Sequence, residues 1–324
     1  MRSIRDILAL SNVPQLGRRM LSRLLRDTEA DTASSPFEVI AQLVANSPKY
    51  RHRLIDLSKE DFRRCYEKAD ETLEKASDQD INVISMRDDP YPHRLLMLPF
   101  PPPIIYIKGN ISSLHSAASI AIVGTRTPTN FGERCALRLG AVFGGAKATV
   151  VSGLAIGCDT AAHYGCITAE GQTSAILAHG LDRIYPKQNE SLAEEILSKG
   201  GCLLSEYAPG ARPFRSHFIE RDKLQVALSD GVVVVETDIV GGTMHTVRFS
   251  LEQQKPLACL KHPAKYRDVP QTQGNQLLLG RGQASPIFDQ TSLNSFWEGI
   301  RKRSSRNASR LPSDIAQLCF ENGI

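Results

Sequence analysis

The hydrophobic rhythm of the chain changes twice. Over residues 1–80, apolar side chains recur at helical spacing: Ile4, Ile7 and Leu8, then Met20, Leu21, Leu24 and Leu25, then Phe37, Ile40, Leu43 and Val44. This spacing places them on one face of a helix. Pro14, Pro36 and Pro48 interrupt the pattern, so several short helices are predicted, and Phe62 to Leu73 adds another. Residues 81–110 read as a connector, with strands predicted near 81–85 and 104–108. Pro101, Pro102 and Pro103 can join neither a helix nor a central strand, so the backbone there must run extended.

Across residues 119–262, short apolar runs alternate with helical stretches. The runs are IAIVG (120–124), ATVVSG (148–153), SAILAHG (174–180), CLLSE (202–206), GVVVVE (231–236) and PLACL (256–260). They lack polar alternation, as strands buried on both faces should. Strand alternating with helix predicts right-handed crossovers and an α/β fold with a doubly wound, mostly parallel sheet. Ligands of such sheets bind beyond the carboxyl ends of the strands. From residue 289 the pattern fades. Phe296 and Trp297 suggest a short helix, followed by a basic run of Arg301, Lys302, Arg303, Arg306 and Arg310 that reads as a solvated or disordered tail.

Composition narrows the possibilities. The chain has 324 residues, with 39 Lys plus Arg against 35 Asp plus Glu, a net charge of +4. That balance excludes nucleic-acid binding by bulk basicity but leaves room for a local basic site. The length suggests about two domains. No apolar run approaches the ~18 residues of a membrane span. The N-terminal stretch is too interrupted by Arg, Asp, Asn and Pro for a secretory signal. The seven cysteines are scattered and form no C-x-x-C pair. They read as reduced cysteines of a cytoplasmic protein with no metal site.

The candidate chemistry lies at the strand ends. Gly124-Thr125-Arg126 offers close backbone approach, a hydroxyl and a guanidinium that can grip a phosphate. Ser152-Gly153 opens a turn after which Asp159 is placed to cap the next helix, with His163 one turn on, positioned to bond the loop or a ligand. Arg212, Arg215, Arg221 and Lys223, with His217, form the densest basic cluster, interleaved with Phe214 and Phe218. Cations follow a phosphate backbone and aromatic faces stack bases, so this composition fits single-stranded nucleic acid, although surface cations over core phenylalanines would look the same. Gly241-Gly242-Thr243 at a helix start can cradle a phosphate. In the N-terminal helices, Asn12–Gly17 reads either as a helix-hairpin-helix turn or as a tight helix connection, with Gln15 where the hairpin usually has its first glycine.

In order along the chain, Asp89-Pro90-Tyr91-Pro92 to Pro103, IAIVGTR (120–126), SGLAIGCDTAAH (152–163), GLDRIYPKQNESLAEEI (180–196), FIERDKLQVALSDGVVVVE (218–236) and GGTMHTVRFSLEQ (241–253) resemble the motifs of the DNA-processing protein A (DprA/Smf) family. The resemblance covers roughly residues 80–262. It implies an extended Rossmann-like domain (81–288), preceded by a small helical domain of sterile-alpha-motif or helix-hairpin-helix type (1–80). Residues 289–324 are too few for the winged helix that ends many relatives. It further implies a non-catalytic, dimeric, cofactor-free protein that binds single-stranded DNA and helps load the RecA recombinase during natural transformation. Carried over residue by residue, the DNA-binding pocket includes Arg126, Lys223, Ser152-Gly153 and Gly241-Gly242-Thr243, bordered by Lys187 and Asn189. One departure is Arg221-Asp222-Lys223, where the family usually has Arg-Asn-Arg.

Two other functions fit the same residues. A nucleotide-sensing Rossmann-like protein fits the Gly-Gly-Thr turn. Phosphoribohydrolase chemistry does not, because the second glycine of that motif is missing and Thr246, Val247 and Arg248 stand where its catalytic glutamates would follow. A regulatory or antitoxin-like component of a phage-defence system, partnered by a neighbouring toxin or effector protein, fits the divergent core motif.

Overall fold

The structure is a computed structural model that describes residues 3–27 and 58–308. The apolar pattern at 37–44, Arg310 and Cys319 lie outside the described residues. The N-terminal part forms helices α1 (Ile4–Ser11), α2 (Arg18–Asp27) and α3 (Lys59–Ser77). Capping boxes start two of them: Ser3 with Asp6, and Ser58 with Asp61. Each serine hydroxyl accepts from a free backbone amide of the first turn while the aspartate accepts from the cap amide. The Asn12–Gly17 segment is a tight turn between α1 and α2. Gln15 occupies the left-handed region at φ 68, the conformation a glycine would adopt there at lowest cost.

The rest of the chain forms one nine-stranded sheet in the order β1-β2-β6-β5-β4-β3-β7-β8-β9. Its strands are β1 (Asn82–Ser85), β2 (Ile104–Gly109), β3 (Ser119–Val123), β4 (Thr149–Ser152), β5 (Thr173–Leu177), β6 (Cys202–Ser205), β7 (Gly231–Val234), β8 (Leu257–Leu260) and β9 (Ser285–Ile287). From β6 through β9 all neighbours are parallel, with Ile120 opposite Val150 and Ile122 opposite Val233. β2 pairs antiparallel with both β6 and β1. The sheet is therefore doubly wound and mostly parallel. The chain steps outward from β3 to β6, then returns to the other side of β3 and continues through β7. Val232, Val233 and Val234 are fully buried, as a strand covered on both faces requires.

The remaining helices are α4 (His93–Leu96), between β1 and β2, then α5 (Asn130–Gly145), α6 (Cys158–Thr168), α7 (Glu190–Ser198), α8 (Arg215–Ala227), α9 (Thr243–Glu252), α10 (Pro270–Gly280) and α11 (Gln290–Ala308). Two elements were not legible in the pattern, β9 and α10. The predicted short helix near Phe296 is the longer α11, whose Leu293, Phe296 and Ile300 are buried with Ile120, Val233 and Phe143. The N-terminal helices share one apolar cluster with the antiparallel edge of the sheet, including Ile7, Leu21, Leu25, Leu95, Ile105 and Leu204. No helix among the described residues is long and apolar enough to cross a membrane.

Candidate nucleic-acid interface

The winding reverses between β3 and β7, which makes their carboxyl ends the switch point at which open sheets of this kind take ligands in a crevice. The Thr125 amide donates to the Glu236 carbonyl at 2.8 Å, so the two strand ends stay joined at the floor. The next loop, after β4, closes one wall. Gly157 has φ +84, and a Cβ there would lie 2.6 Å from the Thr125 carbonyl oxygen and 2.7 Å from that of Arg126. Only glycine permits both the turn and the approach. The Cys158 amide then donates to the Thr125 carbonyl at 3.2 Å. Gly124, Thr125 and Arg126 are thereby held at the lip, with Arg126 exposed.

Beneath the lip lies a buried charge cluster. Arg221 is only 5% exposed. Its Nη1 donates to the carbonyls of Gly153 at 2.7 Å and Ile176 at 3.0 Å. Its Nε lies 3.1 Å from Asp222. A Cβ on Gly153 would lie 1.6 Å from that Nη1. Asp159 does not cap α6 as the sequence suggests. Gly157 holds the cap position, and the Asp159 carboxylate folds back to accept from the amides of Gly153 at 3.1 Å and Ala155 at 3.4 Å. Burial raises the carboxyl pKa of Asp159, against the pull of Arg221 and the loop hydrogen bonds. Burial likewise pushes Asp222 up to about 6, with Arg221 opposing. One guanidinium thus serves two buried carboxylates and two carbonyls.

Above this cluster sits an aromatic and cationic surface. The guanidinia of Arg126 and Arg221 lie 5.4 and 5.7 Å from the Phe218 ring centroid, within cation–π range. Tyr185, 46% exposed, packs 6.1 Å from Phe218. His217 stacks on Tyr207 at 3.8 Å and meets Phe214 edge-on at 5.2 Å. Phe214 is 61% exposed. Lys187, Arg212 and Arg215 are exposed nearby in the same chain segments. Arg18 of α2 reaches across to Glu206 and to Glu220 of α8, the latter at 2.8 Å. That contact ties the N-terminal helices to this wall.

The other predicted site residues separate into supports and outliers. The Ser152 hydroxyl donates to the Ile122 carbonyl at 2.7 Å and is buried. Asn189 is buried and donates to the Leu154 carbonyl and the Thr160 hydroxyl, both at 2.8 Å, fixing the β4 loop from below. His163 is fully buried. The Thr173 hydroxyl already donates to Val150, so it accepts from His163 Nδ1–H at 2.6 Å. Burial pulls the His163 pKa down to about 3, which keeps the ring neutral. Lys223 is half-buried on α8, its carbonyl accepting from Gln253 after α9. Gly241-Gly242-Thr243 starts α9 on the far side of the crevice. A Cβ at Gly241 would lie 2.6 Å from the Asp238 carboxylate, so an acid stands at this turn.

Sequence reasoning missed the group that builds that far side. Glu236 is fully buried and accepts from the Thr129 amide at 2.7 Å, the Thr129 hydroxyl at 2.6 Å and His262 Nε2 at 3.1 Å. The Thr129 hydroxyl in turn accepts from the Gly132 amide and caps α5. The signal was a single acid ending an apolar run, VVVVE. It also missed Tyr185 and Tyr207 as members of the aromatic surface.

The architecture is that of a Rossmann-like protein with a strand-end ligand crevice. The profile described as DNA recombination-mediator protein A matches residues 82–298, and the chain belongs to that family. It is 33% identical over 232 residues to the DNA processing protein DprA of Bacillus subtilis, covering 72% of this chain and 76% of that protein. It is 32% identical over 259 residues to Protein Smf of Synechocystis, covering 74% of this chain but only 64% of that relative. DNA processing protein A from Helicobacter pylori, whose structure is described for its single-stranded DNA binding mode, superposes with a TM-score of 0.60 at 29% identity, over 68% of this chain and 96% of that one. DprA from Streptococcus pneumoniae gives 0.72 at 24% identity, over 91% and 98%, a likeness of fold.

Proposed function

We propose that this chain is a non-catalytic, cytoplasmic protein that binds single-stranded DNA at the crevice wall formed by Arg126, Phe218 and Tyr185, and that it acts as a homodimer to help load a RecA-type recombinase. The observation that carries the reading is the pairing of exposed cations with exposed rings on one wall. Arg126 lies over Phe218, Phe214 is largely exposed, and Lys187, Arg212 and Arg215 stand beside them. Single strands are held by this combination, because the cations neutralise phosphates and the rings stack unpaired bases without regard to sequence. The single-stranded DNA binding of the Helicobacter pylori relative supports the same assignment. Arg221 acts in this reading as a positioning group, since it is buried, with Nη1 bonded to two carbonyls and Nε set against Asp222.

Titration of a fluorescent oligothymidine at two salt concentrations tests the reading. Affinity should fall with salt, by about 0.7 in the log–log slope for each phosphate neutralised, and Arg126→Ala should weaken binding and flatten that slope. Salt-insensitive binding, or an Arg126→Ala protein indistinguishable from the native one, removes the proposal. Calorimetry with nucleoside triphosphates, run in parallel, would then favour nucleotide sensing if it showed heat. The recombinase step is read separately, as faster assembly of RecA filaments on protein-coated strands when this chain is added.

A further inference from the structure

We propose that the outward face of α2 is a second phosphate-binding surface, over which a single strand leaving the crevice continues toward Phe100. This rests on the reading of the crevice as a single-stranded DNA site.

Helix α2 has the sequence RRMLSRLLRD, with four arginines and no acid before its last residue. Leu21, Ser22, Leu24 and Leu25 are buried, so the helix is docked by its apolar side. Arg19, Arg23 and Arg26 are exposed on the other side at positions i, i+4 and i+7. Left to itself, this pattern is unfavourable. Like charges four apart on a helix repel, and cations in the first turn oppose the helix dipole. Two of the four arginines have evident employment: Arg18 pairs with Glu206 and Glu220, and Arg26 donates to the carbonyls of Leu96, Leu98 and Pro99. Arg19 and Arg23 have no acidic partner among the described residues. Their guanidinia lie 5.6 and 5.9 Å from the Phe100 ring centroid, which holds them side by side. Met97, 73% exposed, lies between Leu96 and Leu98, whose carbonyls accept from Arg26.

An anionic occupant resolves the repulsion. The occupant is fixed by continuity: Arg18, next to Arg19, is bonded to Glu220 of α8, the helix that carries Phe218 and Arg215. The arginine face therefore begins at the crevice wall. Its composition repeats that of the wall, guanidinia beside an aromatic ring, which suits a phosphate backbone with unpaired bases.

The test compares an oligothymidine of about 6 nucleotides with one of about 30, since a single site of this kind takes roughly 4–16. The double variant Arg19→Gln/Arg23→Gln should bind the short strand normally. It should bind the long strand on the order of tenfold more weakly, with a salt slope reduced by about 1.4, the value for two lost phosphate contacts. Arg19→Lys/Arg23→Lys, which keeps the charge, should retain the slope, and circular dichroism confirms that each variant is folded. Unchanged long-strand binding overturns the proposal, as does equal weakening of both strands. Displacement of neither strand but tight binding of polyglutamate to this face would also overturn it, in favour of an acidic protein partner. Arg126→Ala reports on the crevice independently: if it changes nothing while the double variant weakens the long strand, the crevice reading fails and the α2 surface stands.

Discussion

On the β4–β6 side of the switch point, a buried guanidinium organises the loops, and the groups that reach the surface are cations and rings. On the β7–β8 side, a buried carboxylate organises the loops, and the surface carries Asp238 together with the exposed Lys261 and Lys265. Arg221 holds the carbonyls of Gly153 and Ile176, and Glu236 holds the amide and hydroxyl of Thr129 together with His262. Both hubs do the same structural work, which is to satisfy backbone groups that a strand end leaves unpaired. They differ in the sign of the potential they leave behind. The first wall sets exposed cations beside the exposed rings of Phe214 and Tyr185, and is the one suited to a single strand.

The comparison is broken most severely at Arg221. Arg221→Ala leaves Asp159 and Asp222 buried without their cation and opens the Gly153 and Ile176 carbonyls. Removing one partner of a buried ion pair costs about 3–5 kcal/mol, and urea denaturation should show a loss of that size. Arg126→Ala, on the same wall but exposed, should change stability by no more than about 0.5 kcal/mol while weakening strand binding. Equal stability of the two variants would mean that the buried cluster is not the organiser of this wall.

Next in size is the opposite hub. Glu236→Gln replaces one of the two accepting oxygens with an NH2 donor, which then faces the Thr129 or His262 donors and leaves part of that network unpaired. A loss of about 1–3 kcal/mol is expected. Strand affinity should fall less than in Arg126→Ala, because the Arg126 side chain is kept and the Thr125 amide still meets the Glu236 carbonyl. If affinity fell as far as in Arg126→Ala, the two walls would not be functionally separate. Gly157→Ala sharpens the same point from the other wall. It combines a positive φ with a collision against the Thr125 and Arg126 carbonyls, and should cost about 1–3 kcal/mol of strain with affinity falling alongside.

The sheet itself was legible from its apolar runs, because a strand buried on both faces leaves an unbroken run such as Val232 to Val234, and the ordered motifs identified the family. What escaped the sequence depends on distance and depth. Glu236 and Thr129 are 107 positions apart, and nothing local to either reveals the pair. Arg221 reads as a surface cation until the fold brings two carbonyls and a carboxylate to it. Asp159 stands where a cap would stand, yet its carboxylate turns back to Gly153, a choice made by the loop and not by the helix. His163 shares a motif with these groups but faces Thr173 in the interior. β9 was missed because three residues, one of them Pro286, carry no periodicity. The aromatic surface was half visible, in Phe214 and Phe218, since the ring contacts of Tyr185 and Tyr207 arise between loops.

The smallest expected effect tests Asp222, the acid that stands between Arg221 and Lys223. Asp222 lies beside Arg221, and burial raises its carboxyl pKa to about 6, against about 3.9 for an aspartate in an unfolded chain. Between those values the folded protein keeps a proton that the unfolded chain has released. The unfolded state therefore binds fewer protons, and stability falls as pH rises across that window, then stays at the lower level above it. Asp222→Asn cannot titrate. It should match the native protein near pH 4 and exceed it at pH 7 by about 1 kcal/mol, a fraction of the full linkage because the ion pair with Arg221 is also lost. Arg126 feels this carboxylate electrostatically, so removing the negative charge should also tighten strand binding at pH 7 and leave it unaltered near pH 4. Denaturation curves and strand titrations at the two pH values read both effects. Parallel stability–pH profiles for the two proteins would show that Asp222 does not carry its charge into the cationic wall, and the contrast between the walls would then be set by Arg126, Lys187, Arg212 and Arg215 alone.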